Sequence, residues 1–309
     1  MPSWQSYLVH PVLRLFVKRR LARVASALEA RNIFGTPMPP LPGVVYAAAE
    51  IGDVAGEWAH GKAAPFCTLL YIHGGGYFSC SPQTHRSITS AFAIRGLRVF
   101  APEYRLAPEH PFPAALDDVL AVYRAMLATH PAATLLLAGD SAGGGLALAL
   151  LLAAKAEGLP MPAGLILFSP WTDLAGEGVS VQTNEASDSM LFAPRMAEVA
   201  DIYLAGADPK NPLASPLYAD LAGLPPMLIH VSESEILRDD STRLADRVRA
   251  AGGTADLSIW PNLPHVWQVS QLILPEARES LDQAASFAKS ALALKTTPSL
   301  PLASHARQA

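Results

Sequence analysis

Five residues, Gly139-Asp140-Ser141-Ala142-Gly143, follow the apolar run 134–138 and open the helix-prone run 144–155. A chain that turns sharply from strand to helix around a serine holds the hydroxyl out at the carboxyl edge of a sheet. Its strained backbone tolerates only small neighbours, which the glycines supply. The helix N-terminus behind it favours developing negative charge. The chemistry implied is attack by an activated hydroxyl. A second motif supports it. The apolar run 68–72 leads straight into His73-Gly74-Gly75-Gly76. Without side chains, Gly74, Gly75 and Gly76 can bring backbone amides up to a small anion, as an oxyanion hole requires. No Gly-Lys-Ser/Thr ending follows, so the run is not a phosphate loop.

With both motifs in this order, the chain resembles the hormone-sensitive-lipase-like esterases (bacterial family IV), in the subgroup with a Gly-Asp-Ser-Ala-Gly elbow. The resemblance runs from about Pro65 to Trp267. It takes in His73-Gly74-Gly75-Gly76-Tyr77, the stretch 104–114 (Tyr-Arg-Leu-Ala-Pro-Glu-His-Pro-Phe-Pro-Ala), and Ser169-Pro170-Trp171-Thr172-Asp173-Leu174. It implies an α/β-hydrolase fold: a mostly parallel eight-stranded sheet flanked by helices, with a helical cap. It also implies a serine carboxylesterase that acts on short- to medium-chain acyl esters without a cofactor. The oxyanion donors would be the amides of Gly75, Gly76 and Ala142.

A serine hydroxyl needs a base, normally a histidine held by a carboxylate. In this fold the chain order is serine, acid, histidine. Six of the nine histidines precede Ser141, which leaves His230, His265 and His305. His230 lies inside the apolar run 227–231, which directs it into the sheet. His305 lies in the tail. His265 ends Pro261-Asn262-Leu263-Pro264-His265, just past the last strand, and is the expected base. For the acid, relatives usually show Asp-x-Leu-x-Asp with the first aspartate catalytic. This chain has Glu235-Ile236-Leu237-Arg238-Asp239, so the matching position is Glu235. Its longer stem calls for a small backbone retreat or a folded rotamer. Asp239, in the first turn of the next helix, and Glu233 remain rivals.

The elements that must position these groups are legible in outline. Strands are expected over 44–49, 68–72, 99–101, 134–138, 164–168, 227–231 and 256–260. Helices are expected over 82–95, 113–127, 142–157, 236–251 and 277–292. The alternation implies a mostly parallel sheet. Residues 1–42 read as the first part of a cap, 43–174 and 216–294 as the catalytic domain, 175–215 as the second part of the cap, and 295–309 as a disordered tail. Within the second cap part, 176–188 reads as loop and 189–204 as apolar at helical spacing. The basic, amphipathic stretch 8–24 lacks the layout of a signal peptide. A cap helix is the favoured reading there, with attachment to a membrane surface as the alternative.

Length and composition set the bounds. The 309 residues are 50% hydrophobic with a net charge of −4, enough for one large domain with an insertion and ill suited to nucleic acid. Cys67 and Cys80 read as free thiols, consistent with a reducing, cytoplasmic setting. No run is long enough to span a membrane, and no zinc-type cluster exists. Asp140 reads as a structural carboxylate. Glu103, Arg105, Glu109 and His110 read as a buried salt-bridge network, and Asp173 as organiser of its loop. Trp4, Tyr7, Phe16, Met190 and Phe192 are expected either to line an acyl pocket or to form cap core. The resemblance also implies a homodimer paired through the edge strand, here the segment 255–260, and the final helix. Amide or carbamate hydrolysis by the same triad remains open. A non-catalytic receptor, as in the gibberellin receptors that resemble this family, is disfavoured by the presence of His265.

Overall fold

The structure is a computed structural model, of which residues 2–296 are described. Eight strands form one sheet: β1 Val45–Ile51, β2 Val54–His60, β3 Cys67–Ile72, β4 Leu97–Pro102, β5 Leu135–Asp140, β6 Gly164–Phe168, β7 Met227–Ser232 and β8 Ala255–Trp260. Their order is β1-β2-β4-β3-β5-β6-β7-β8. β2 pairs antiparallel with both β1 and β4, and the rest run parallel. The central strands are apolar on both faces, as strands covered by helices on each side must be. In β3, Leu70 and Ile72 face the layer that holds α5 (Ala114–Leu127), α6 (Ser141–Ala156) and α9 (Arg238–Ala250). Leu69 and Tyr71 face α4 (Arg86–Ile94) and α10 (Pro275–Thr296). All four side chains are buried.

Seven of the eight strands are legible from apolar runs; β2 is not. It contains Gly56 and a buried Glu57, whose carboxylate is paired to Arg86 at 2.6 Å. What betrays it is the turn before it. Gly52 and Asp53 both have positive φ (61° each), which a two-residue hairpin loop requires.

Residues 2–44 and 175–215 carry the remaining α-helices of the described residues. α1 (Trp4–Leu13) passes through a wider turn at Arg14–Lys18 into α2 (Arg19–Arg23), and α3 spans Arg31–Phe34. In the second segment, the loop expected over 176–188 contains a single helical turn, α7 (Ser180–Thr183). The helix expected from residue 189 starts only at Ala193, with α8 proper over Met196–Leu204. Pro194 sits in the first turn there, where its missing N–H costs nothing.

The two segments are stitched together. His10 Nδ1 lies 2.9 Å from Ser189 Oγ, and Lys18 pairs with Glu185 at 2.9 Å. The Ala27 amide donates to Glu198 at 2.6 Å, and Arg195 reaches the carbonyls of Leu21 and Val24. Among the described residues no helix is long and apolar enough to cross a membrane. The expectations for His305 and for most of the tail 295–309 lie outside the described residues.

Candidate active site

The parallel strands end at one edge, and the candidate residues follow those ends directly. His73 succeeds β3, Ser141 succeeds β5, Ser169 succeeds β6, Glu235 follows β7 and His265 follows β8. Ser141 has φ 51°, the left-handed conformation that the elbow demands. The turn closes tightly: a Cβ on Gly143 would collide with the carbonyl oxygens of Ile72 and His73. Only glycine fits there.

Glu235 Oε2 lies 2.6 Å from His265 Nδ1. The other carboxylate oxygen, Oε1, accepts from Ser169 Oγ and from the Ser232 amide, both at 2.8 Å. The acid is therefore fixed at both oxygens. Both side chains are buried. Burial opposes the imidazolium, but the Glu235 charge and hydrogen bond, helped by Asp188 and Asp140, outweigh it and raise the His265 pKa above 6.5. Burial also lifts Glu235 above the ordinary carboxylate value, against the pull of His265. The two rivals for the acid are engaged elsewhere. Asp239 accepts from the Ser180 amide at 2.8 Å and pairs with Arg238, and Glu233 meets the Asn262 amide at 3.3 Å.

One of the four expected oxyanion donors is already committed. The Gly74 amide donates to Asp140 Oδ1 at 3.1 Å, so it cannot also serve an oxyanion. Among the described residues, the Gly75 and Gly76 amides have no protein acceptor. Ala142 lies in the first turn of α6, where amides lack intrahelical partners. Gly75 has φ 116°, and a Cβ there would strike the Ser79 carbonyl.

Asp140 is structural, as its position suggested. It is buried and also accepts from Tyr71 at 2.6 Å and faces His85 Nε2 at 3.3 Å. Burial resists its charge, yet His85 and Tyr71 hold its pKa below the usual carboxylate value. His73 supports the same loop from inside. It stacks on Tyr104 at 4.3 Å and contacts the Gly74 carbonyl at 2.7 Å. Burial pushes its pKa down to about 3 and keeps the ring neutral.

Ser141, His265, Gly75 and Gly76 share the lining of one cavity of about 290 Å³. The rest of its wall is mostly apolar and comes from the two helical segments, with Leu21, Phe34, Met190, Phe192, Met196 and Val199 among the contributors. Met190 and Phe192 therefore line the pocket, whereas Trp4, Tyr7 and Phe16 are exposed and belong neither to the pocket nor to a core.

The cluster Glu103, Arg105, Glu109 and His110 is not a buried network. Arg105 pairs with Asp118 and Glu109 with Arg31, in partly exposed bridges whose partners lie outside the cluster. His230 is buried in the sheet beside Ser280, and burial lowers its pKa to about 4. Asp173 does organise its loop, accepting from the Ala175 and Glu177 amides and pairing with Arg243 at 2.6 Å.

Two supporting residues escaped the sequence reading. Ser169 begins the Ser-Pro-Trp-Thr-Asp stretch at the end of β6, so its place at the catalytic edge was a usable signal. Asp188 is buried and accepts from the amides of Met190, Leu191 and Ile236, tying the pocket wall to the turn that carries Glu235. Its role comes from contacts 48 residues apart in the chain, which no local pattern encodes.

The chain is similar to known proteins over most of its length. A family model described as the alpha/beta hydrolase fold matches residues 69–269. An acetyl-hydrolase of Streptomyces hygroscopicus is 42% identical over 265 residues, spanning 85% of this chain and 87% of that protein. An esterase of Acinetobacter venetianus is 35% identical, spanning 82% and 84%. Among crystal structures, an esterase from the bacterial hormone-sensitive lipase family aligns at TM-score 0.89 with 38% identity, covering 94% of this chain and 99% of that one. With fold, elbow and similarity in agreement over most of its length, the chain belongs to the α/β-hydrolase-fold family, among the esterases of the bacterial hormone-sensitive lipase group.

Proposed function

We propose that the chain hydrolyses carboxylic esters with Ser141 as nucleophile, His265 as base and Glu235 as the acid that orients it. The observation that carries this reading is the 2.6 Å contact between His265 Nδ1 and Glu235 Oε2, on the wall of the cavity that also holds Ser141. His265 Nε2 takes the proton of Ser141 as Oγ attacks the ester carbonyl carbon. Negative charge moves to the carbonyl oxygen, where the amides of Gly75, Gly76 and Ala142 receive it. When the tetrahedral species collapses, the carbon–oxygen bond to the alcohol breaks, and His265 gives the alcohol its proton. Water, deprotonated by His265, then attacks the acyl carbonyl carbon, and as the carbon–Oγ bond breaks His265 gives that proton to Ser141. Glu235 keeps Nδ1 protonated, so Nε2 is the nitrogen left free to act.

Residues 1–42 and 175–215 act together as the cap that bounds the acyl pocket. A pocket of about 290 Å³ walled by Met190, Phe192 and Phe34 suits short to medium acyl chains. A p-nitrophenyl ester series from acetate to palmitate tests the assignment. The expected rate is greatest at short to medium length and falls for long chains, with the matched p-nitroanilides slower throughout. Greatest activity on long, emulsified esters, or on the anilides, would contradict it.

A further inference from the structure

The helical run formed by α1, the wider turn and α2 departs from an ordinary surface helix: Val9, Val17 and Leu21 pack inward, but most of its large apolar side chains do not. An ordinary surface helix buries its apolar stripe and exposes its polar one. Here the buried residues of α1 are Ser6 and His10, held by Asn262 and Ser189. Six apolar side chains point the other way. Among the described residues fifteen large hydrophobic side chains stand exposed, and six of them fall within residues 4–16. The concentration is therefore a property of this helix and not of the surface in general. Trp4, Tyr7, Leu8, Val12, Leu15 and Phe16 are each 49–68% exposed and recur at helical spacing along one face. Scattered single residues on a soluble surface do not form such a stripe.

The same face continues into Arg19, Arg20 and Arg23, all exposed. Among the described residues no carboxylate pairs with any of these three. Arg14 and Lys18 turn the opposite way and bind residues 185–188, which pins the helix to the body. No acidic residue occurs before Glu29. An apolar stripe with Trp and Tyr at one end and unpaired arginines at the other is the composition of a helix that lies in a lipid–water interface. The charge also chooses between occupants. A second copy of this face would bring further arginines and no carboxylate of its own, whereas an anionic lipid surface would neutralise all three.

We infer that the outer face of residues 4–23 docks the protein on an anionic lipid surface, with Trp4, Leu8 and Phe16 entering the acyl boundary and Arg19, Arg20 and Arg23 meeting the headgroups. Because Leu21 on this helix faces the catalytic cavity, docking would hold the pocket wall at the interface. The inference stands on this face alone, independently of the ester chemistry.

Co-sedimentation of the full chain with phosphatidylglycerol-containing vesicles and with pure phosphatidylcholine vesicles tests it. Binding is expected to the anionic vesicles, weakened by salt. It should fall by at least about a hundredfold in Arg19→Glu/Arg20→Glu/Arg23→Glu, since each basic residue near such a surface contributes about a factor of five and the reversed charges add repulsion. Trp4→Ser/Leu8→Ser/Phe16→Ser should weaken it by at least about tenfold. All six positions are exposed and outside the catalytic machinery, so hydrolysis of dissolved p-nitrophenyl acetate should be unchanged in both variants. Failure to bind anionic vesicles would overturn the inference, as would equal binding to neutral ones. A concentration-dependent dimer that the serine variant abolishes, without vesicle binding, would assign the face to a second copy instead.

Discussion

Ser141→Ala should lower ester turnover by roughly four to six orders of magnitude, the scale on which a triad fails when its nucleophile is removed. The loss should appear in kcat while ester affinity changes little, because the apolar pocket wall is untouched. Alanine replaces serine at φ 51° with no larger side chain and no hydrogen bond for the helix to lose. The variant should therefore fold, as circular dichroism would show. Residual hydrolysis should exceed the rate in water, since the amides of Gly75, Gly76 and Ala142 remain in place. Near-normal turnover by this variant would remove Ser141 from the mechanism.

The second large effect separates two carboxylates four residues apart. Glu235→Gln should reduce kcat by roughly three to four orders of magnitude, because an amide can present the wrong partner to Nδ1 and cannot stabilise the imidazolium. Asp239→Asn should stay close to the unaltered protein, since the carboxylate only receives the Ser180 amide and Arg238. The pH dependence gives an independent check. His265 must be neutral to accept the serine proton, so activity rises with pH through the imidazole pKa. Burial lowers that pKa, but the Glu235 charge outweighs burial and raises it above 6.5. The acidic limb of kcat/KM should therefore lie above pH 6.5 in the unaltered protein. In Glu235→Gln burial acts without that opposition, and the limb of the residual activity should move to lower pH. Collapse of activity in Asp239→Asn alone would reverse the assignment of the acid.

The difference between what the sequence announces and what it hides is the difference between local and distant interactions. The elbow at Ser141 is legible because strand, glycine turn and helix lie side by side in the chain, and the sterics that demand small residues act over five positions. Glu235 and His265 are legible because each follows directly on a strand end at the catalytic edge. Which glycine amide is left for an oxyanion is not legible. That depends on Asp140, 66 positions away, taking the Gly74 amide. Asp188 escapes for the same reason. The N-terminal helix shows a third limit. Its periodicity reveals an amphipathic helix but not which face is buried, and here polar contacts by His10, Arg14 and Lys18 turn the apolar face outward. Strand β2 is hidden because its local marker is the Gly52-Asp53 turn and not an apolar run.

The convergence of Ser141, Glu235 and His265 into one nucleophile is tested most directly by covalent trapping. A p-nitrophenyl alkylphosphonate should release one equivalent of nitrophenol per chain, and mass spectrometry of the digested protein should place a single phosphonyl group on the peptide that carries Ser141. Hydrolysis should disappear in step with labelling, and His265→Ala should label far more slowly. A phosphonyl group on another residue, or full ester hydrolysis by protein labelled at Ser141, would contradict the mechanism.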